Sequence, residues 1–216
     1  MVAHLLIAVM TVVDSQMVQR AKRDLDPDAI DTALLGTALV GLMLLVPAIV
    51  AGVLVIVWCY LARVNLDAFP GVVPTLQRGW AVAGWLVPFV HFVVPARVVA
   101  NVARESLWRS KTPTLVRTWI GSWVVYGLAG VALPLLDLRN FLALPTDLDG
   151  PEDYQRYVDH YYFSAVPSSL LVAALSVVSG VSLILLINQV SAAQDTRIGR
   201  AMPVTPAMTG MATAGA

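Results

Sequence analysis

Residues 32–62, TALLGTALVGLMLLVPAIVAGVLVIVWCYLA, contain no charged side chain. A helix that crosses a membrane needs about 20 predominantly apolar residues, so this stretch predicts a transmembrane helix. At about 1.5 Å per residue it is longer than the roughly 30 Å hydrocarbon core. We therefore expect tilt, or a kink at Pro47, to absorb the excess length.

The whole chain has the composition of an integral membrane protein. Of its 216 residues, 58% are hydrophobic and 13% are charged, against roughly a quarter charged in soluble domains. The formal net charge is zero, and the sequence has no basic stripe to neutralise nucleic-acid phosphates. The single Cys59 rules out an intrachain disulfide and a cysteine-based metal site.

Four further apolar stretches complete the predicted architecture, an all-α polytopic transmembrane bundle. Four spans have full length, and the N-terminal one is marginal because Val2–Val13 reaches only about 18 Å as a helix. It either runs on to Val18 or is the second half of a helix that starts upstream. Residues 1–190 form one transmembrane domain, and residues 191–216 a disordered cytoplasmic tail. The predicted spans are 2–18, 32–62, 79–97, 118–136 and 164–190.

Lysine and arginine counts in the connections predict the orientation. The connector 15–31, the segment 97–117 and the tail together hold ten of these residues, whereas the loops 63–78 and 137–163 hold four. We expect a plasma-membrane protein with a cytoplasmic C-terminus and an extracytoplasmic acidic loop, 137–163. This assignment requires residues 79–97 to cross the membrane.

The third predicted span, GWAVAGWLVPFVHFVVPAR, contains two prolines and a histidine. In a helix each proline leaves one backbone carbonyl without its usual donor. Pro88, His91 and Pro95 are three and four residues apart, so a helix would place them on one polar face, which should point into the bundle. This face is either a hinge of a kinked packing helix or the lining of a pathway.

Pro95 also fits the start of a new helix, where its missing N–H costs nothing. From there the pattern is amphipathic, which predicts a helix along the cytoplasmic membrane surface. The alternative is the cytoplasmic end of the same spanning helix, with snorkelling arginines. The candidate contacts to lipid headgroups are Arg97, Arg104 and Arg109.

Aromatic side chains near the ends of the predicted spans are candidate interfacial anchors. In the acidic loop, Asp149 or Gly150 followed by Pro151 predicts the start of a short helix. The calcium-loop spacing is not met there. The candidate anchors are Trp58, Trp80, Trp119, Trp123, Tyr157 and Tyr161.

Three segments carry a resemblance to a known family. They are WCYLARVN (58–65), the spacing Trp80-x4-Trp85-x2-Pro88-x6-Pro95 leading into ARVVANVARESLWRS, and NQVSAAQDTRIGR near the C-terminus. Over roughly residues 35–200 this pattern resembles the domain of unknown function 4328 family of actinobacterial membrane proteins. The resemblance implies a membrane location, a full-length first span and no established activity. It also implies asparagine at the position of His91, which disfavours a proton-carrying role.

The sequence predicts a non-enzymatic scaffold or accessory subunit, because it contains no recognisable catalytic, Walker or dinucleotide motif. Its expected partners are membrane lipids, other membrane helices or a second copy, without nucleic acid, cofactor or metal. One alternative is a small channel or transporter lined by the Pro88, His91 and Pro95 face. Another is a membrane enzyme acting on lipid, with Arg97, Asn101 and Arg104 converging at one leaflet.

Overall fold

The computed structural model describes residues 1–72, 74–88 and 90–201, and within them every regular element is helical. Short 3-10 segments lie at Leu66–Ala68 and Val90–Phe92, and a π-helical turn at Tyr161–Ala165. Four helical stretches are long and apolar enough to cross a membrane: Val2–Asp24, Pro27–Ala68, Thr114–Phe141 and Pro151–Arg200. The helices are α1 (Val2–Asp24), α2 (Pro27–Asn65), α3 (Trp80–Leu86), α4 (Val94–Ser106), α5 (Thr114–Phe141), α6 (Pro151–His160) and α7 (Val166–Ala201).

The first two helices form an antiparallel pair joined by a tight connector. α1 has 23 residues, about 34 Å of helix, and so exceeds the predicted stretch 2–18. It ends at Leu25, whose φ of 53° stops the helix. α2 begins at once, with Asp26 accepting a hydrogen bond from the backbone N–H of Asp28 at 3.0 Å. It continues through Pro47 to Asn65 without ending at the proline.

The prediction that residues 79–97 cross the membrane as one kinked helix is wrong. α3 has only seven residues and stops at Leu86. Val87, the residue before Pro88, is extended with φ −84° and ψ 119°, the conformation that a following proline favours. After the 3-10 segment the chain begins α4 at Val94, with Pro95 in its first turn, which is where the sequence predicts the start of a new helix.

Helices α3 and α4 pack against each other as a hairpin. A Cβ atom added to Gly84 would meet Val94 Cγ1 at 2.5 Å and Pro95 Cδ at 3.3 Å. Gly84 and Val94 are ten residues apart in sequence, about 15 Å along a continuous helix, so their contact requires the chain to reverse. Glycine at position 84 is what allows the two backbones to approach so closely.

The reversal changes which connections share an end of the bundle. Gln19 of α1 donates to the Tyr162 hydroxyl, and Lys22 donates to Gln155 of α6. The connector 15–31 therefore lies with the acidic loop 137–163, not opposite it as the orientation count required. We call residues 19–31 and 137–163 the acidic end. The opposite, basic end comprises residues 63–72, 74–79, 97–117 and 190–201.

Each end has its own hydrophobic core. At the acidic end, Val18, Ile30, Tyr154 and Tyr161 are buried together. At the basic end the buried residues come from α2, α4, α5 and α7 with the 66–81 segment, and Trp119 is the largest of them. The apolar face of α4, including Val98 and Val102, packs into this core rather than facing away from the protein. Asn101, which the amphipathic pattern places on the polar face of this helix together with Arg97 and Arg104, is also buried.

The C-terminal helix extends beyond its predicted end. α7 runs to Ala201, so the prediction of disorder is wrong for residues 191–201, and residues 202–216 lie outside the described part. Gln194 explains the extension, because its buried amide donates to the Ala62 carbonyl at 3.0 Å and to the Ser106 hydroxyl at 2.9 Å. These bonds fix the last turns of α7 to α2 and α4. The predicted helix start at Gly150 and Pro151 is confirmed.

Candidate functional site

A pocket of about 290 Å³ lies between α1, α2, α5 and α7 near the acidic end. Its wall is mainly apolar, and its polar groups are two carboxyls, one imidazole and several hydroxyls. We call it the acidic-end pocket. Its lining residues are Thr11, Asp14, Leu34, Thr37, Leu133, Pro134, Asp137, Phe141, His160, Tyr161, Ala165, Ser168, Ser169 and Val172.

Asp14 reaches the pocket from the buried face of α1. That face also carries Thr11, Ser15 and Val18, at the spacing expected for one side of a helix. Asp14 is 1% exposed, and its Oδ2 accepts a hydrogen bond from the Thr37 hydroxyl of α2. The pairing ties a carboxyl group inside one candidate span to a hydroxyl inside the next.

Asp137 enters the pocket from the last turns of α5. Its Oδ1 accepts a hydrogen bond from the Ser164 hydroxyl, and His160 Nδ1 lies 3.6 Å from the same oxygen. That distance is too long for a hydrogen bond, so the two groups form an ion pair only when the imidazole is protonated. The His160 side chain is 8% exposed, and its Nδ1 has no hydrogen-bond partner within the described residues.

The π-helical turn Tyr161–Ala165 places this part of the wall. Pro167 follows it and has no backbone N–H to give, and the Val166 N–H instead bonds back to the Tyr161 carbonyl, five residues earlier. Wide turns of this kind occur frequently at functional sites, because they change which side chains share a face. Here His160, Tyr161 and Ala165 all line the pocket.

A second recess of about 420 Å³ adjoins the pocket on its loop side. His160 lines both cavities, and Ser164, which bonds to Asp137, lines the outer one. Arg156 and Asp159 also line the outer recess. The Asp137, Ser164 and His160 group thus forms a partition between the two cavities.

The polar face predicted from the two prolines does not exist in the structure. Pro88 is exposed in the break after α3, His91 is half-buried in the 3-10 segment, and Pro95 is buried in α4. The ring of His91 packs edge-on against Trp123, with centroids 5.2 Å apart. The three residues belong to different elements because the chain turns between them, so they line no common pathway.

The arginines predicted to contact headgroups all lie at the basic end, but they do not converge. Arg97 and Arg109 are exposed, whereas Arg104 is half-buried. Because Asn101 is buried in the basic-end core, Arg97, Asn101 and Arg104 do not form the shared polar set that a lipid-acting enzyme would need. The contact of these arginines with headgroups stays a prediction.

Two of the six predicted interfacial anchors are core residues instead. Trp119 is 1% and Tyr161 6% exposed, since both face neighbouring helices. Trp123 stacks on Trp119 with ring centroids 5.3 Å apart. The other three keep partial exposure: Trp80 is 40% exposed, Trp58 donates to the Ser191 hydroxyl at 3.2 Å, and Tyr157 donates to the Pro145 carbonyl at 2.9 Å.

The acidic-end pocket was not predicted from the sequence. Asp137 was assigned to the acidic loop 137–163, and Asp14, within the marginal span 2–18, was given no role. Both acids lie within helices long enough to cross a membrane, α1 and α5. The signal for Asp14 was its spacing from Ala8, Thr11 and Val18, which form one apolar or hydroxyl-bearing face.

Within residues 1–72, 74–88 and 90–201, no group of three or more histidine, cysteine or acidic side chains is placed to hold a metal ion. Ser164 donates to Asp137, and not to His160, which differs from a hydrolase triad, where the histidine bridges the serine and the acid. What the pocket offers is a largely apolar cavity with a few polar groups, as small-molecule sites commonly do.

Comparison with known proteins gives a family but no activity. No curated protein and no solved structure matches the chain. The model of a domain of unknown function, DUF4328, matches residues 21–192, which covers most of the chain and every element from α2 to α6. The chain therefore belongs to the DUF4328 family.

Proposed function

We propose that this protein binds a small molecule in the acidic-end pocket and performs no covalent chemistry on it. The observation that carries the proposal is His160, a nine-tenths buried side chain that lines the cavity and whose Nδ1 has no hydrogen-bond partner in the described residues. A buried polar atom without a partner costs free energy, and a bound ligand or water would offset that cost. Asp14 and Asp137 supply further polar contacts in the same cavity.

The charge distribution supports an orientation with this pocket toward the outside of the plasma membrane. Cytoplasmic connections of membrane proteins carry an excess of lysine and arginine. Nine of the chain's 14 such residues lie at the basic end and five at the acidic end. We therefore place the basic end and the C-terminus in the cytoplasm. The nine are Arg63, Arg78, Arg97, Arg104, Arg109, Lys111, Arg117, Arg197 and Arg200.

Cysteine labelling in cells tests both the pocket and its sidedness. In a Cys59→Ala background, Ser168→Cys places a thiol in the pocket wall, and Leu170→Cys places one on the exposed apolar surface of the same helix. We expect a small membrane-impermeant methanethiosulfonate added outside to label position 168 faster than position 170. Asp147→Cys in the exposed loop is the positive control.

Equal labelling at positions 168 and 170 would remove the basis for a water-accessible pocket. Labelling of position 168 only in permeabilised cells or inverted vesicles would keep the pocket and reverse the orientation. Positions 168 and 170 lie two residues apart on the same helix, so a difference in labelling rate, measured at equal protein levels, reports on the local surroundings of each thiol.

A scaffold or accessory-subunit role is the second candidate, favoured by the uncovered middle of α2. None of the 18 residues in its most apolar window is buried, and Leu42 and Met43 are 66% and 76% exposed. A Cβ atom added at Gly41 or Gly52 would meet nothing within 4 Å. Small residues on an open helix surface let another helix approach closely.

Affinity isolation in mild detergent tests this role when it is combined with matched variants. Gly52→Leu should abolish a specific association by blocking close helix contact, whereas Gly121→Leu, on an equally open site of α5, should preserve it. If both variants retain the same co-purifying proteins and the same oligomeric state, the middle of α2 faces lipid alone.

A further inference from the structure

The geometry of the acidic-end pocket points to a specific ligand class, a small organic cation with an ammonium group on an apolar body. This inference rests on the ligand-binding role proposed above and adds the charge and shape of the ligand.

The pocket has two carboxyl groups and no fixed cation to pair with both of them. Asp14 and Asp137 each bond to one hydroxyl, from Thr37 and Ser164, and none of the lining residues in the described part of the chain is a lysine or an arginine. His160 is the only basic side chain among those lining residues, so even when protonated it balances one of the two carboxyls. Asp14 is 1% exposed, so a negative charge on it would be costly without a cation, and a cationic ligand would remove that cost.

At the basic end, by contrast, an acidic side chain is fully paired within the protein. Asp67 is held by two arginines, with Arg63 Nη1 at 2.8 Å and Arg78 Nε at 2.6 Å. Arg63 is itself buried and also donates to the Leu76 carbonyl at 2.8 Å. Full pairing of an acid is therefore available to this fold, and the two pocket carboxyls lack it within the described residues.

The apolar wall of the pocket favours an organic cation over a metal ion. Hard metal ions require about six oxygen ligands, whereas most of this wall is hydrocarbon from residues such as Leu34, Leu133 and Val172. The volume of about 290 Å³ corresponds to about ten water molecules at their liquid volume, or a ligand of roughly ten heavy atoms. Phe141 and Tyr161 add ring surfaces, to which ammonium groups are attracted.

The distribution of charged residues around the pocket also favours a cationic ligand. Only three of the 14 acidic residues, Asp67, Glu105 and Asp195, lie at the basic end, so eleven lie in the half of the bundle that holds the pocket. That half holds five lysines and arginines. An excess of one charge sign around a cleft raises the local concentration of ligands of the opposite sign. One of the five cations, Arg156, lines the outer recess, and it opposes cation entry locally.

Three probes of the same size separate the possible ligand classes. We would measure the binding of 2-phenylethylamine, 2-phenylethanol and phenylacetate to the purified full-length chain in detergent at neutral pH. Each has a phenyl ring and differs in having a cationic, neutral or anionic head. Hydrogen bonds to charged groups contribute about 1.5–3 kcal/mol, so we expect the amine to bind about ten- to a hundredfold more tightly than the alcohol. Phenylacetate should bind the most weakly.

Acid-to-amide variants assign the preference to the pocket. Asp14→Asn and Asp137→Asn keep the size of each side chain and should each lower the amine-to-alcohol preference about tenfold or more. Asp147→Asn, an exposed acid of the same end, should leave it unchanged. Thermal unfolding of each variant shows whether a lost preference comes from lost folding.

The outcomes separate this inference from the function it rests on. Equal binding of amine and alcohol, tighter binding of phenylacetate, or no binding of any probe at millimolar concentration would overturn the cationic class. In each of those cases, rapid labelling of Ser168→Cys would still support a ligand pocket. An amine preference that survives both Asn variants would place the cation somewhere else on the protein.

Discussion

Replacing Gly84 by alanine tests the hairpin through the sign of its effect on stability. In an ordinary helix interior, glycine to alanine stabilises by about 0.5–1 kcal/mol. Here the new Cβ atom would lie 2.5 Å from Val94 Cγ1 and 3.0 Å from Val94 Cβ. Valine is stiff in a helix because it has one strongly preferred rotamer, so the backbones must separate. Overpacking of this kind costs about 1–3 kcal/mol, which outweighs the gain.

We therefore expect Gly84→Ala to lower the free energy of unfolding by about 1–2 kcal/mol. For a chain of this length that is a fall in Tm of about 2–4 °C per kcal/mol. The Tm is measured by heating the detergent-solubilised protein and monitoring the folded fraction by size-exclusion chromatography. Gly121→Ala, with open space around its Cβ position, should keep or raise the Tm.

The double variant Gly84→Ala with Val94→Ala identifies the contact itself. Val94→Ala removes the Cγ1 atom at 2.5 Å and leaves the Cβ atom at 3.0 Å, which relieves the worst part of the clash, so the two changes should couple favourably by about 0.5–3 kcal/mol. A single straight or kinked helix over residues 79–97 would keep positions 84 and 94 about 15 Å apart. A Tm that rises in Gly84→Ala as in Gly121→Ala, with no coupling to Val94→Ala, would refute the hairpin.

Three further substitutions probe the packing between helices. Gly127→Ala should lower stability by about 1–3 kcal/mol, because its Cβ would meet Phe92 Cε1 at 2.6 Å. Gln194→Leu should lower it by about 1–3 kcal/mol, because it leaves buried hydrogen-bond partners on α2 and α4 unsatisfied. Trp119→Ala should cost about 3–5 kcal/mol, because this ring is 1% exposed and stacks on Trp123.

Each of these substitutions has a matched control for the same thermal-unfolding measurement. Gly130→Ala adds a Cβ to open space on the same helix as Gly127, Gln189→Leu changes an exposed residue, and Trp80→Ala removes a ring that is 40% exposed. If a control lowers the Tm as much as its partner, the packing assigned to that position is incorrect.

The helices that are long and apolar enough to cross a membrane could be predicted from the sequence, because hydropathy and length are local properties. The uncharged run that became α2, and the Gly150–Pro151 helix start, required no knowledge of the rest of the fold. The hairpin could not be read in the same way, since an apolar stretch with two prolines has similar composition whether it crosses or returns. The contact between Gly84 and Val94 decides between the two, and it exists only once the chain has reversed.

The pocket was harder to predict than the fold, because its residues come from five helices and a π-helical turn. Asp14 and Thr37 meet only through the pairing of α1 with α2. Asp137 and His160 meet only because α5 continues beyond its predicted end at residue 136 to Phe141 and a π-helical turn shifts the register of the next helix. An acid next to a solvated connector has the same sequence pattern whether or not neighbouring helices cover it.

The separation of the two cores has a consequence for how this protein opens. Val18 and Tyr154 belong to one core and Val98 and Trp119 to the other, while the middle of α2 adds no buried residue between them. Structures with separate cores open locally in cooperative units of different free energy. Hydrogen exchange should then resolve two groups of protected amides, and a molecule bound near Asp14 should slow exchange in the Tyr154 group while leaving the Trp119 group unchanged.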